Sequence, residues 1–193
     1  MATTVSNRRL PNAEASRTGM WIGLAAITMS FVAFTSAMLV RRGTSSDWQH
    51  IAVPAILFPN TFLLVASTGT LEITRRRIAS FMGGVANRGI LPTGWLYATL
   101  VMGVVFLVGQ CEAWLQLRSQ GFYLPTNPGS SFFYLLTAIH GLHLLGGIGG
   151  LIAVIRKLQR GGLRRSTLDA TSHYWHFMSI LWLYLLLLIW MKF

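Results

Sequence analysis

MWIGLAAITMSFVAFTSAMLV, residues 20–40, decides the fold, because nothing in it is charged. At 1.5 Å per residue, a helix over this run rises about 31 Å, enough to cross the hydrocarbon core of a bilayer. Residues 33–37 offer small side chains of the kind found at signal-peptide cleavage sites. The apolar run is nevertheless too long for a signal peptide, and Arg41 and Arg42 follow it directly, so it is read as a retained span.

Working outward from that run, four more stretches are long enough to cross. They lie at about residues 48–71, 92–115, 131–155 and 172–191. The fourth sits inside an uncharged stretch, 119–155, with its helix expected to start near Ser131. Pro92 suits a first helical turn. Pro54 and Pro59 are expected to kink the early part of span two, leaving neighbouring helices to satisfy the freed carbonyls. The expected fold is all-α, a polytopic membrane protein with five transmembrane helices over residues 19–193. Residues 1–18 are polar and read as a flexible cytoplasmic tail.

Composition agrees. Of the 193 residues, 53% are hydrophobic and 11% charged, against about 25% charged in a soluble domain. Charge this sparse could not cover a soluble globule, which excludes a soluble enzyme, a secreted disulfide scaffold and a disordered chain. Cys111 is the only cysteine, so no internal disulfide or multi-cysteine metal site can form, and it reads as a small packing residue. The net charge of +11 would suggest a nucleic-acid partner in a soluble protein. Here the cations cluster between apolar runs and mark sidedness instead. Arg8, Arg9, Arg17, Arg75, Arg76, Arg77, Arg88, Arg156, Lys157, Arg160, Arg164 and Arg165 fall on one side. Only Arg41, Arg42, Arg118 and Lys192 fall on the other. Twelve against four places the N-terminus in the cytoplasm and the C-terminus outside. Trp21, Trp48, Trp114 and Trp190 near span ends fit an aromatic belt. The loop from Gly121 to Ser130, with two prolines, is turn chemistry on the outer side.

Polar groups in lipid are expensive, so each is a functional candidate. Asn60, Thr61, Ser67 and Thr68 line span two, and Glu72 closes it. Gln110 and Glu112 lie near the outer end of span three, His140 and His143 mid-way along span four, and His173 and His176 near the inner start of span five. Each histidine pair is three residues apart and so shares a helix side. Four histidines invite a haem or metal reading. Depth argues against it, since His143 lies roughly 17 Å below the outer end of its helix and His176 about 6 Å above the inner end of its own. A dimetal site would also need about four carboxylates. The preferred reading is hydrogen bonding and stacking between helices, with His140, His143, Trp175, His176 and Glu112 as its main members. Glu72 has His176, Arg75 and Arg76 as equally good partners. Gly146 and Gly150 form a small-xxx-small pair that speaks of packing.

Four blocks together carry a resemblance. They are Asn60-Thr61-x-x-Leu64 continuing to Ser67, Gln110-x-Glu112-Ala113-Trp114, Phe132-Phe133 with His140-Gly141-Leu142-His143, and His173-Tyr174-Trp175-His176-Phe177 with Trp182-Leu183. In this order and spacing the chain, over residues 18–193, resembles subunit III of the haem–copper respiratory oxidases, in its five-helix bacterial form. The resemblance implies an accessory subunit without haem or copper of its own. It would pack directly on subunit I, with subunit II and a small subunit IV in the same complex, and would hold phospholipid. It would support proton uptake while partner subunits bearing haem and copper reduce oxygen to water. Cytochrome c would bind elsewhere on the complex, in the inner membrane, and no nucleic acid is involved.

The chain departs from the family's pattern twice. Ile27 stands where the family commonly has a buried glutamate, and Ser179 stands where an aspartate often follows Trp-His-Phe. A proton role resting on those carboxylates does not transfer. A quinol oxidase or nitric oxide reductase-associated homologue is the alternative within the family. A transporter would show internal repeats and more intramembrane charge. A membrane cytochrome b would need haem ligands at one depth.

Overall fold

The computed structural model describes residues 11–44, 48, 53–82, 93–125 and 127–192. Residues 1–10 of the expected tail, most of 45–52, and the loop with Arg88 and Pro92 lie outside the described residues. Five helices follow in order: α1 (Pro11–Thr44), α2 (Leu57–Met82), α3 (Thr93–Ser119), α4 (Pro128–Gln159) and α5 (Arg165–Lys192). No strand occurs among the described residues, and the fold is all-α.

Four helices, α1, α3, α4 and α5, hold segments long and apolar enough to cross a membrane. α2 falls short because Asn60, Glu72 and Arg75–Arg77 interrupt its length. The start of span two needs correction, since residues 53–56 are not helical and the helix begins only at Leu57. Pro54 therefore precedes the helix. Pro59 falls in its first turn, where the lost N–H had no intrahelical partner, so neither proline kinks it.

Helix ends elsewhere run past the apolar stretches, because lipid thickness limits apolarity rather than helicity. α1 already starts at Pro11, inside the stretch read as tail. α4 begins at Pro128 rather than near Ser131. Asn127 caps it, with its side-chain oxygen accepting from the Gly129 N–H at 2.8 Å and Pro128 filling the first helical position. α3 and α4 end alike. In each, a glycine at positive φ, Gly121 at 86° and Gly161 at 69°, lets its own N–H and the next one fold back. Phe122 N–H reaches Leu117 O and Gly162 N–H reaches Lys157 O, which satisfies otherwise orphaned carbonyls.

α2, α3, α4 and α5 form a ring in which each helix packs on the next, and α2 closes against α5. α1 stands outside the ring and packs only on α4 and α5. Cross-helix contacts give the directions. Asn60 meets Phe106 and Thr70 meets Thr99, so α2 and α3 are antiparallel. Thr35 meets Tyr184 and Trp21 meets His173, so α1 runs parallel to α5. This up-and-down order gathers Arg75–Arg77, Arg156, Lys157 and Arg164 at one end, and Arg41, Arg118 and Lys192 at the other. The interior is filled by Trp175, Trp182, Phe106 and Phe133, all essentially unexposed.

Candidate functional site

Several polar residues of the interior tie helices together. Trp175 Nε1 donates to Ser67 Oγ at 3.0 Å, and Trp182 Nε1 to Thr61 Oγ1 at 2.8 Å, joining α5 to α2 twice. Thr68 and Ser179 share a third bond on that seam, at 2.8 Å. Asn60, 3% exposed, donates from Nδ2 to the Phe106 carbonyl at 3.0 Å. It reaches that far because Gly109 opposite has no side chain; a Cβ there would lie 2.5 Å from Asn60 Oδ1. Trp114 Nε1 donates to Thr137 Oγ1 across α3 and α4, and Tyr174 Oη to the His143 carbonyl across α5 and α4. A hydroxyl or indole left unpaired in lipid costs free energy, so these bonds fix which faces meet.

The histidines do not converge. His140 is fully buried, stacked 5.1 Å from Trp182 and edge-on to Phe106 at 6.0 Å. His143 turns instead toward α1, with its ring 6.0 Å from Phe31 and Nδ1 donating to its own Ile139 carbonyl at 2.8 Å. His173 donates from Nδ1 to the Asp169 carbonyl and lies against Trp21. His176 Nε2 lies 3.6 Å from Glu72 Oε2. Four imidazoles thus meet four different partners. Among the described residues no three His, Cys, Asp or Glu side chains gather as a metal site.

Glu72 is the hub at the basic end, just past the apolar part of α2. It accepts from Arg75 Nε at 2.8 Å and Nη2 at 3.0 Å, and from Arg76 Nε at 2.8 Å. Arg75 also reaches Asp169 of α5 at 3.4 Å. Arg75 and Arg76 therefore both bond Glu72, while the His176 ring stands 3.6 Å away. Arg75 first, then Arg76, holds the Glu72 carboxyl down at about 2 against an ordinary 4.5. A lowered carboxylate stabilises fully above about pH 4.5, and its contribution fades as pH falls toward 2. Glu72→Gln should therefore lower the thermal midpoint at pH 7 by a small amount, under about 1 kcal/mol, and the gap to wild type should close as the pH is lowered toward 3. A gap that is unchanged across that range would contradict the ionic account.

Three expectations need correction. The His140 ring packs against Trp182 and Phe106 but makes no hydrogen bond among the described residues, and the His143 ring bonds only a carbonyl of its own helix. Glu112 is exposed on the outer side of α3 and makes no hydrogen bond among the described residues. Gln110 and Ala113 take the inward positions instead. Cys111 is likewise exposed rather than packed. It borders a cavity of about 480 Å³ beside Trp114, Arg118, Tyr123 and Tyr134. The two departures from the family pattern are both accommodated. Ser179 bonds Thr68, and Ile27 packs partly buried against the core. Two cross-helix pairs, Thr35–Tyr184 and Thr70–Thr99, belong to none of the motifs in the sequence. Their only signal is a hydroxyl at a mid-span position.

The family described as cytochrome c oxidase subunit III matches residues 18–192. A probable cytochrome c oxidase subunit 3 of Mycobacterium tuberculosis is 37% identical over 135 residues, covering 65% of this chain and 60% of that protein. The chain thus spans about three fifths of the length of its mycobacterial relatives. Cytochrome c oxidase subunit 3 of Synechocystis is 29% identical over 181 residues, covering 90% of this chain and 74% of the relative. That of Thermostichus vulcanus, also 29% identical over 181 residues, is covered to 84%.

Proposed function

Because this chain belongs to the cytochrome c oxidase subunit III family, we propose that it serves as the accessory subunit of a proton-pumping oxidase that takes electrons from cytochrome c and reduces oxygen to water. It carries no haem or copper of its own, packs on subunit I, and holds phospholipid at that contact while supporting proton uptake. Subunit II and a small subunit IV complete the complex.

One observation carries this reading: the imidazoles, indoles and hydroxyls of the bundle are turned to different neighbouring helices rather than to a common point. Such a chain is built to hold a shape. In the cell's inner membrane, α2 crosses as the fifth span, since it lies antiparallel beside α3 along its apolar stretch. The basic end faces the cytoplasm, which puts the N-terminus inside and the C-terminus outside. The cavity rimmed by Arg118, Trp114 and Tyr134 then opens at the outer leaflet, where a guanidinium beside apolar walls suits a phosphodiester headgroup and its acyl chain.

Deleting this chain is the test. The remaining oxidase should keep its full haem and copper content and its initial turnover, but lose activity over successive turnovers faster than the intact complex. Loss of a haem or copper signal together with this polypeptide would refute the accessory role.

A further inference from the structure

Inside the ring, Gln110 of α3 is 3% exposed and His140 of α4 fully buried. Neither the amide oxygen and nitrogen of Gln110 nor either ring nitrogen of His140 has a hydrogen-bond partner. Four stranded polar atoms in the apolar middle of a membrane bundle demand a reason.

The two side chains stand at one level on facing helices. One turn toward the Asn127 end, Trp114 of α3 bonds Thr137 of α4. On the other side of them, Gly103 of α3 faces Ile148 of α4. Gln110 and His140 fall between these two crossings at matching height. Phe106, one turn from Gln110 on the same side of α3, packs edge-on to the His140 ring. Gly141, next to His140, faces Leu107 of α3, and a Cβ there would make an ordinary contact with Leu107 Cδ2 at 3.7 Å.

A direct bond between the pair cannot satisfy both groups. A neutral imidazole presents one donor and one acceptor on different edges of its ring, and an amide presents two donors and an acceptor. One amide cannot wrap both edges. The missing partner must donate and accept, carry no charge into the bilayer core, and be small. A cation would need anionic ligands, and no such group of side chains gathers among the described residues.

We propose that α3 and α4 hold a bound water between Gln110 and His140, an internal hydration site within the membrane-spanning bundle. It shares the seam with the Trp114–Thr137 bond and does not depend on which complex the chain serves.

The test uses the chain in its purified complex, imaged finely enough to order water. The expected result is a density peak within about 3.2 Å of both the Gln110 amide and a His140 ring nitrogen. A seam without a peak, with the His140 ring turned onto a backbone carbonyl as His143 is, would overturn the proposal. Variants supply a second reading. Gln110→Leu or His140→Phe alone strands the water and the remaining partner, so each should lower the melting temperature of the complex more than the double variant does. Single variants that fail to assemble beside a double variant that assembles give the same result in stronger form. Strictly additive losses, or a double variant that fails with the singles, would count against the site.

Discussion

Trp175→Ala is expected to destabilise the bundle by about 3 kcal/mol, counting the cavity alone. The apolar transfer gain that adds to such losses in water is absent between helices in lipid. The indole sits where α2, α3, α4 and α5 all approach. It touches the backbone of α3 at Gly103 and of α4 at Gly147, and bonds Ser67 of α2. Removing it opens a hole whose nearest walls are glycines, which have no side chain to swing in. Ser67 Oγ also loses its indole donor. Trp175→Phe keeps much of the ring and loses the Nε1 bond, so its cost should be about 1 kcal/mol plus a modest packing loss. Thermal dissociation of the detergent-purified complex reads both. Equal losses for the alanine and phenylalanine variants would defeat the cavity account.

Gly103→Ala is expected to cost about 1–3 kcal/mol from the opposite cause, overpacking. A Cβ on Gly103 would fall 2.6 Å from Trp175 Cη2 and 3.1 Å from Cζ2. The ring cannot swing aside, since Nε1, beside Cζ2, is held by the Ser67 bond, the opposite edge lies against Gly147, and the side chain is wholly buried. The control is Gly149→Ala on the exposed side of α4, where an added methyl meets nothing within 4 Å. Alanine should be neutral or slightly stabilising there, because glycine is the poorer helix former. Combining Gly103→Ala with Trp175→Phe should cost less than the sum of the two, since the smaller ring makes room for the methyl. The same melting experiment decides, and simple additivity would mean that the two residues do not meet.

Much of this was legible in the sequence, though not evenly. The runs at 20–40 and 172–191, and the described part of 92–115, read correctly as helices because each is long, apolar and bounded by charge or turn residues. The start of span two misread because residues 53–56 are as apolar as a helix would be, and apolarity alone does not fix backbone conformation. Asn60, Ser67 and Glu72 were legible as polar residues inside or closing a span. Their partners were not, since Ser67 and Trp175 are 108 residues apart and only the packed register joins them. Glu112 misled for a related reason. Hydropathy gives depth, but α3 is apolar nearly all round, so no amphipathic stripe tells which of Gln110, Glu112 and Ala113 points inward. The histidine pairs failed the same way. A spacing of three turns the side chains by only part of a circle, yet on α4 it is enough to send His140 into the ring and His143 toward α1.

Among the described helices, α1 touches only α4 and α5. Synthesis delivers the chain from its N-terminus, so α1 is made before either helix it packs on, and α4 and then α5 complete its seat. Through most of biogenesis it waits in lipid as a loose mast. Chains cut short before α4 strand it there, and only when α5 joins α4 are both sides of its seat in place.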